Sequence, residues 1–193
     1  MRKIDENKKE AITQAVFQLT KEVGLVGLSI AKVAKIAGVS PATIYVYYKD
    51  KADMLSQILI GVKDILDEGQ EEIILSVSDP LEQFKKLLRH LIDKWTTYPK
   101  HAIFMRAALE NPSEIAPHGI AYSNKRAEVI VALYDRLLDS GKIKPLSQHL
   151  LISWTAGGIM NNLLYHAQMG TQPDDAEIQQ MIELSVDAIK KNL

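Results

Sequence analysis

Apolar residues recur along this chain at spacings of three and four, and no alternating β-branched run bounded by turns interrupts them, so the pattern predicts an all-α fold. About nine helices are expected. The first, Asp5 to Val23, sets Ile12, Ala15, Val16 and Leu19 on one stripe and stops at Gly24. Ser29 caps a short second helix carrying Ile30, Val33, Ala34 and Ile36 as far as Gly38, and Ser40-Pro41 opens a third with a hydroxyl cap and proline at the first position. Asp50 caps a long fourth helix through Met54, Leu55, Ile58, Leu59, Val62, Ile65 and Leu66, ending near Ser78-Asp79-Pro80. Helices from Asp79-Pro80 to Tyr98 and from Pro99 to Glu110 follow, then a loop from Asn111 to Pro117. A seventh helix runs from His118 to Ser140 before Gly141, an eighth from Ser147 to Met169 before Gly170, and a ninth starts near Pro173-Asp174.

The second and third helices with the Gly38 turn occupy only Ser29 to Tyr47, which is the size and punctuation of a DNA-binding helix-turn-helix. Ala34, four residues before the glycine, lets the two helices approach. Val39 plugs the space between them, and Ile44, five residues on, is the branched side chain the second helix buries. The outward face of the third helix then offers Pro41, Ala42, Thr43, Tyr45, Val46 and Tyr47. None is an arginine or asparagine that would specify one base. Contacts would come from the Thr43 hydroxyl, from Pro41, Ala42 or Val46 on thymine methyls, and from tyrosine hydroxyls on phosphates, so base specificity should be partly indirect. Lys49 and Lys51 flank the fourth helix's N-terminus, where free N–H groups and an ammonium can hold a phosphate together. Lys32 and Lys35 could reach flanking phosphates or simply solvate the surface. Charge changes this picture in one direction: residues 1–50 hold eight Lys/Arg against five Asp/Glu, in a chain of net charge −1.

The run from Gly38 to Leu55, Gly38-Val39-Ser40-Pro41-Ala42-Thr43-Ile44-Tyr45-Val46-Tyr47-Tyr48-Lys49-Asp50-Lys51-Ala52-Asp53-Met54-Leu55, resembles the signature of the tetracycline-repressor (TetR) family. The resemblance covers about fifty N-terminal residues. It implies a three-helix DNA-binding domain (1–50), a helical effector-binding and dimerisation domain (51–193), a homodimer, and repression usually relieved by a small ligand. It carries DNA contact onto Thr43, Tyr45 and Lys51. The family often has histidine where Tyr47 stands and phenylalanine where Tyr48 stands; Tyr47 can still donate to a phosphate, while Tyr48 reads as core.

In the second domain, Trp95, Tyr98, His101, Phe104 and Met105 cluster across the fifth and sixth helices, and Trp154, Asn161 and Tyr165 lie on the eighth. This mix could line an apolar pocket with a few polar handles for a small-molecule effector, neutral or weakly polar, although aromatics at helical spacing are also what plain core looks like. Asn161-Asn162 inside the apolar run Ile152 to Leu164 calls for a ligand, an interface or water. Gly157-Gly158 in the same helix suits a close approach. The ninth helix repeats Ile178, Met181, Ile182, Ser185 and Ile189, and the eighth is apolar on more than one face, so two copies are expected to pair through these two helices on a near-palindromic operator. A protein partner in place of the small ligand remains open.

With no cysteine, the chain has no disulfide or thiolate site, and no stretch approaches a membrane span, so a cytoplasmic location is expected. No helical His/Glu metal spacing, hydrolase elbow or phosphate loop occurs. An enzyme is therefore not expected, nor any cofactor or metal.

Overall fold

The computed structural model describes residues 5–191, and among these residues it is all-helical, with no strand beyond an isolated bridge between Ile143 and Lys190. The elements are α1 (Glu6–Val23), α2 (Ile30–Ala37), α3 (Pro41–Tyr47), α4 (Lys51–Leu66), α5 (Gln70–Leu75), α6 (Pro80–Thr97), α7 (Pro99–Glu110), a 3-10 turn (Pro112–Glu114), α8 (Pro117–Asp139), α9 (Gln148–Trp154), α10 (Ala156–Met169) and α11 (Asp175–Ile189). The nine expected helices are all present, and two of them are interrupted.

The interruptions have local causes. The fourth expected helix stops at Leu66, because Gly69 takes φ 81° before α5 resumes, a conformation a side chain would resist. The eighth breaks at Thr155, which separates α9 from α10 and is itself fully buried. Gly157 suits the break, since a Cβ there would crowd the Ile152 carbonyl oxygen at 3.2 Å. Within this chain a Cβ on Gly158 would meet nothing within 4 Å.

Two compact units result, each assembled from two stretches of chain. The first holds residues up to Ile65 together with Lys100–Lys125. Here α1 packs on α2, and α7 supplies core: the Phe17 ring lies 4.8 Å from His101 and 5.6 Å from Phe104, centroid to centroid. Ile12, Val16, Val33, Ile44, Met54 and Leu55 are at or below 1% exposure, so each contributes on the order of 1.5–3 kcal/mol of burial.

The second unit holds Leu66–Pro99 and Arg126–Leu193, with α6 at its centre and α5, α10 and α11 packed against it. Ile74, Leu87 and Leu133 form one buried cluster there, and Phe84 meets Tyr134 edge-on at 6.0 Å. The stripe read from the ninth expected helix is spent here: Ile178, Met181, Ser185 and Ile189 on α11 are buried within the chain itself. The face left over lies on α9 and α10, where Trp154, Tyr165 and Met169 are exposed at 68%, 58% and 62%.

Candidate nucleic-acid interface

The turn between α2 and α3 is built from caps. Ser29 Oγ accepts the Lys32 N–H at 3.3 Å, Gly38 ends α2 in the left-handed conformation at φ 66°, and the Gly38 and Val39 N–H groups both return to the Ala34 carbonyl. Ser40 Oγ accepts the Thr43 N–H at 3.1 Å and lies 2.9 Å from Thr43 Oγ1, with Pro41 at the first turn of α3. These bonds fix the start and direction of a seven-residue helix too short to hold its own shape in water.

Burial divides α3 into an inner and an outer face. Ile44 and Tyr48 point inward at 0% and 2% exposure, and burial pushes the Tyr48 phenol up to about 12. Pro41, Ala42, Tyr45 and Val46 are exposed, and Thr43 is half-buried. An exposed tyrosine beside an exposed valine on so short a helix leaves apolar surface that the chain itself does not cover.

The other expected contacts are less free than the sequence suggests. Tyr47 is half-buried, and its hydroxyl lies 3.3 Å from the Asp5 N–H, which it accepts, so it braces the start of α1. The Lys49 N–H donates to Asp53 Oδ2 at 2.8 Å while its side chain stays exposed. Lys32 Nζ donates to the Gly27 carbonyl at 2.8 Å, and Lys35 is exposed on the last turn of α2. Asp50 Oδ1 caps α4 by accepting the Asp53 N–H at 2.8 Å. Lys51 Nζ is paired with Glu114 Oε2 at 2.8 Å, both side chains about a quarter exposed. Sequence reading missed Glu114, and no local signal could have found it: it belongs to the turn after α7, far along the chain from Lys51.

The eight candidate effector contacts are divided between the two units. His101, Phe104 and Met105 belong to the first unit, where His101 and Phe104 pack on Phe17 and burial holds the His101 imidazole below its usual range. The other five belong to the second unit. Trp95 is buried there, and Tyr98 is half-buried with Lys94 Nζ 5.9 Å from its ring centroid. Trp154, Asn161 and Tyr165 are exposed instead of facing inward. They lie on the uncovered face of α9 and α10, which corrects the expectation that they line an interior.

Among the described residues each unit holds a cavity. One of about 500 Å³ in the first unit is bordered by Phe17, Gln18, Lys21, Ile36, Lys100 and Ile103 among others. One of about 200 Å³ in the second is bordered by Trp95, Leu163, His166, Thr171 and Pro173 among others. Trp95 alone of the eight candidates borders either cavity. Beside the smaller one, His166 Nε2 lies 3.1 Å from Glu177 Oε1 and its Nδ1 2.8 Å from Thr171 Oγ1, while Asn162 Nδ2 donates to the same carboxylate oxygen at 3.2 Å. The paired asparagines therefore divide their roles, Asn162 tying α10 to α11 and Asn161 facing out.

A short, capped, outward-facing helix set behind a glycine turn, in an all-helical chain, has the form of a helix-turn-helix. Residues 12–58, about a quarter of the chain, match the family model described as bacterial regulatory proteins, tetR family. The HTH-type transcriptional regulator AcrR of Shigella flexneri is 23% identical over 133 residues, which is 68% of this chain and 61% of AcrR, so the match spans less than two thirds of that relative. The nucleoid occlusion factor SlmA of Vibrio campbellii is 23% identical over 174 residues, covering 81% of this chain and 82% of that protein. A crystal structure of a TetR family transcription regulator from Marinobacter aquaeolei shares the fold at TM-score 0.81 and 24% identity, over 100% of both chains. Among the described residues no helix is long and apolar enough to cross a membrane.

Proposed function

We propose that this protein is a cytoplasmic homodimeric repressor that binds a near-palindromic operator through α3 and releases it when a small, weakly polar effector binds the second unit. The observation that carries the DNA-binding part is the division of α3, with Ile44 and Tyr48 in the core and Pro41, Ala42, Tyr45 and Val46 turned to solvent. Thr43, Tyr47, Lys32, Lys49 and Lys51 complete the expected footprint, the lysines on phosphates and the helix face on base edges. Residues 1–50 serve DNA and the remainder serves dimerisation and effector binding. The dimer face is the uncovered surface of α9 and α10 with Leu184 of α11, exposed at 70%. In the working model the effector favours a state in which α4 holds the two recognition helices at a spacing that does not match the operator.

A second reading replaces the effector with a protein partner. It is favoured by the small size of the cavity in the second unit, about 200 Å³, and by the name of the Vibrio relative, a nucleoid occlusion factor.

Both readings meet the same first experiment. Fluorescence anisotropy on the DNA immediately upstream of its own coding sequence, against a scrambled duplex, is expected to show preferential binding that Tyr45→Ala weakens by about 10-fold, one lost base-edge or phosphate contact per head. Because Tyr45 is 56% exposed, the melting temperature of that variant should stay at the wild-type value. Equal binding of both duplexes, unaffected by the substitution, would remove α3 from the interface.

A further inference from the structure

Lys51 is the first residue of α4, where unpaired backbone N–H groups already favour an anion, and the anion found there is the chain's own Glu114 carboxylate at 2.8 Å. A DNA phosphate arriving at Lys51 meets an ammonium that is already neutralised. We propose that Glu114 is an internal stand-in for phosphate that holds Lys51 off the DNA and so limits operator affinity. The proposal rests on the reading of Lys51 as a phosphate contact.

The pair is not an incidental surface contact, because the backbone carrying Glu114 is fixed on both sides. Its N–H donates to the Asn111 carbonyl at 3.0 Å, closing the turn that Pro112 opens, and the next residue, Ile115, is 5% exposed. One residue further, the Ala116 N–H donates to Ser56 Oγ on α4 at 2.8 Å. Gly119 then approaches so closely that a Cβ on it would lie 2.8 Å from Ser56 Cβ. His118 Nε2 stands 3.5 Å from Asp53 Oδ1, and Asp53 in turn accepts the Lys49 N–H through Oδ2. The segment 114–119 is thus seated along the first two turns of α4, and Glu114 is the part of it that reaches the DNA-side lysine. A carboxylate held this way offers the lysine an equivalent partner at no further ordering cost, whereas a phosphate must displace it and then sit near the freed negative charge.

The consequence is measurable as counterions. The slope of log affinity against log salt reports the number of phosphates neutralised, about 0.9 per phosphate on duplex DNA. Removing the Glu114 charge should tighten binding about 2- to 5-fold per bound head, the size of one surface ion pair, and steepen the slope by up to about 0.9 per head. The experiment is an anisotropy titration of the full-length protein at a series of salt concentrations, on the upstream fragment and on the scrambled duplex, with Glu114→Gln, Glu114→Ala, Lys51→Ala and the Lys51→Ala/Glu114→Gln pair. Tighter binding and a steeper slope in both Glu114 variants, lost when Lys51 is also alanine, is the expected result. Loss of stability in a Glu114 variant works against tightening and cannot mimic it. If Lys51→Ala weakens binding but neither Glu114 variant tightens it, the guarding role is overturned and the DNA contact stands. Tightening that persists without Lys51 also overturns it, since Glu114 would then repel DNA directly. Should the Lys51→Ala/Glu114→Gln pair bind with the same affinity and slope as Glu114→Gln alone, the phosphate contact and the proposal fall together.

Discussion

Tyr48 and Tyr45 stand three positions apart and do opposite work. Tyr45 leaves its ring in water for a partner, while Tyr48 turns its ring into the core at 2% exposure and its phenol is pushed up to about 12. Tyr134 in the second unit is raised to about 12 as well, again by burial. The sign of the pH dependence follows. A phenol that holds its proton more tightly when folded contributes stability that is complete below its unfolded value near 10 and is lost as pH rises toward 12. Thermal melts between pH 9 and about 12 should therefore show a decline that Tyr48→Phe/Tyr134→Phe makes shallower. A double variant that declines as steeply as wild type would assign the loss to other groups. At this scale the sequence was a good guide wherever a residue's role is local. Ser29, Gly38, Ser40 and Pro41 each do what their type and spacing announce, because caps and turns are decided within four residues. It was a poor guide to Tyr47 and Lys51, whose hydroxyl and ammonium meet Asp5 and Glu114 across long stretches of chain.

Among elements, α4 is tied both to the segment after α7 and to α8. Ser56 faces Gly119 and receives the Ala116 N–H, and Tyr122 on α8 hydrogen-bonds Asp64. Gly119→Ala would place a Cβ 2.9 Å from Ser56 Oγ and 3.0 Å from Ile115 Cγ2, and must push the two helices apart. Overpacking of this kind costs about 1–3 kcal/mol, and the melting temperature should fall by roughly 3–10 °C by differential scanning calorimetry. An unchanged melt would mean that α8 has freedom to shift there. Helix existence was legible from periodicity almost throughout, but two long apolar stretches hid breaks. The one after Leu66 needed Gly69 to be weighed as a positive-φ residue, and at the one at Thr155 the Ile152 carbonyl comes close enough to Gly157 to crowd a side chain. Periodicity continues across an interruption of one to three residues, which is why it cannot register one.

For the molecule as a whole, the sequence showed that the eighth helix has one apolar face too many and could not say which side chains lie on it. Trp154 and Tyr165 read as pocket residues because aromatics at helical spacing suit an interior; packing against α6 and α11 uses other faces and leaves these two outside, with Met169. If that surface joins two copies, Trp154→Glu should convert the protein to a monomer in sedimentation velocity. It should also weaken operator binding by an order of magnitude or more, as the second head no longer binds at high effective concentration. A variant that stays dimeric would place the interface elsewhere.

The unit that carries the recognition helix is not one continuous piece of chain. Its core closes only when α7 returns to place Phe104 against Phe17, after the chain has left for the second unit and come back. A head excised after α4 would leave Phe17 and its neighbours facing water, so it should fold poorly alone. The same topology bears on inheritance: a single crossover that grafted residues 1–65 onto a different regulator would bring DNA specificity without the surface it is built on. Exchange of heads in a chain wired this way has to preserve α7 and the start of α8, and new operators are more readily reached by changing the exposed residues of α3 in place.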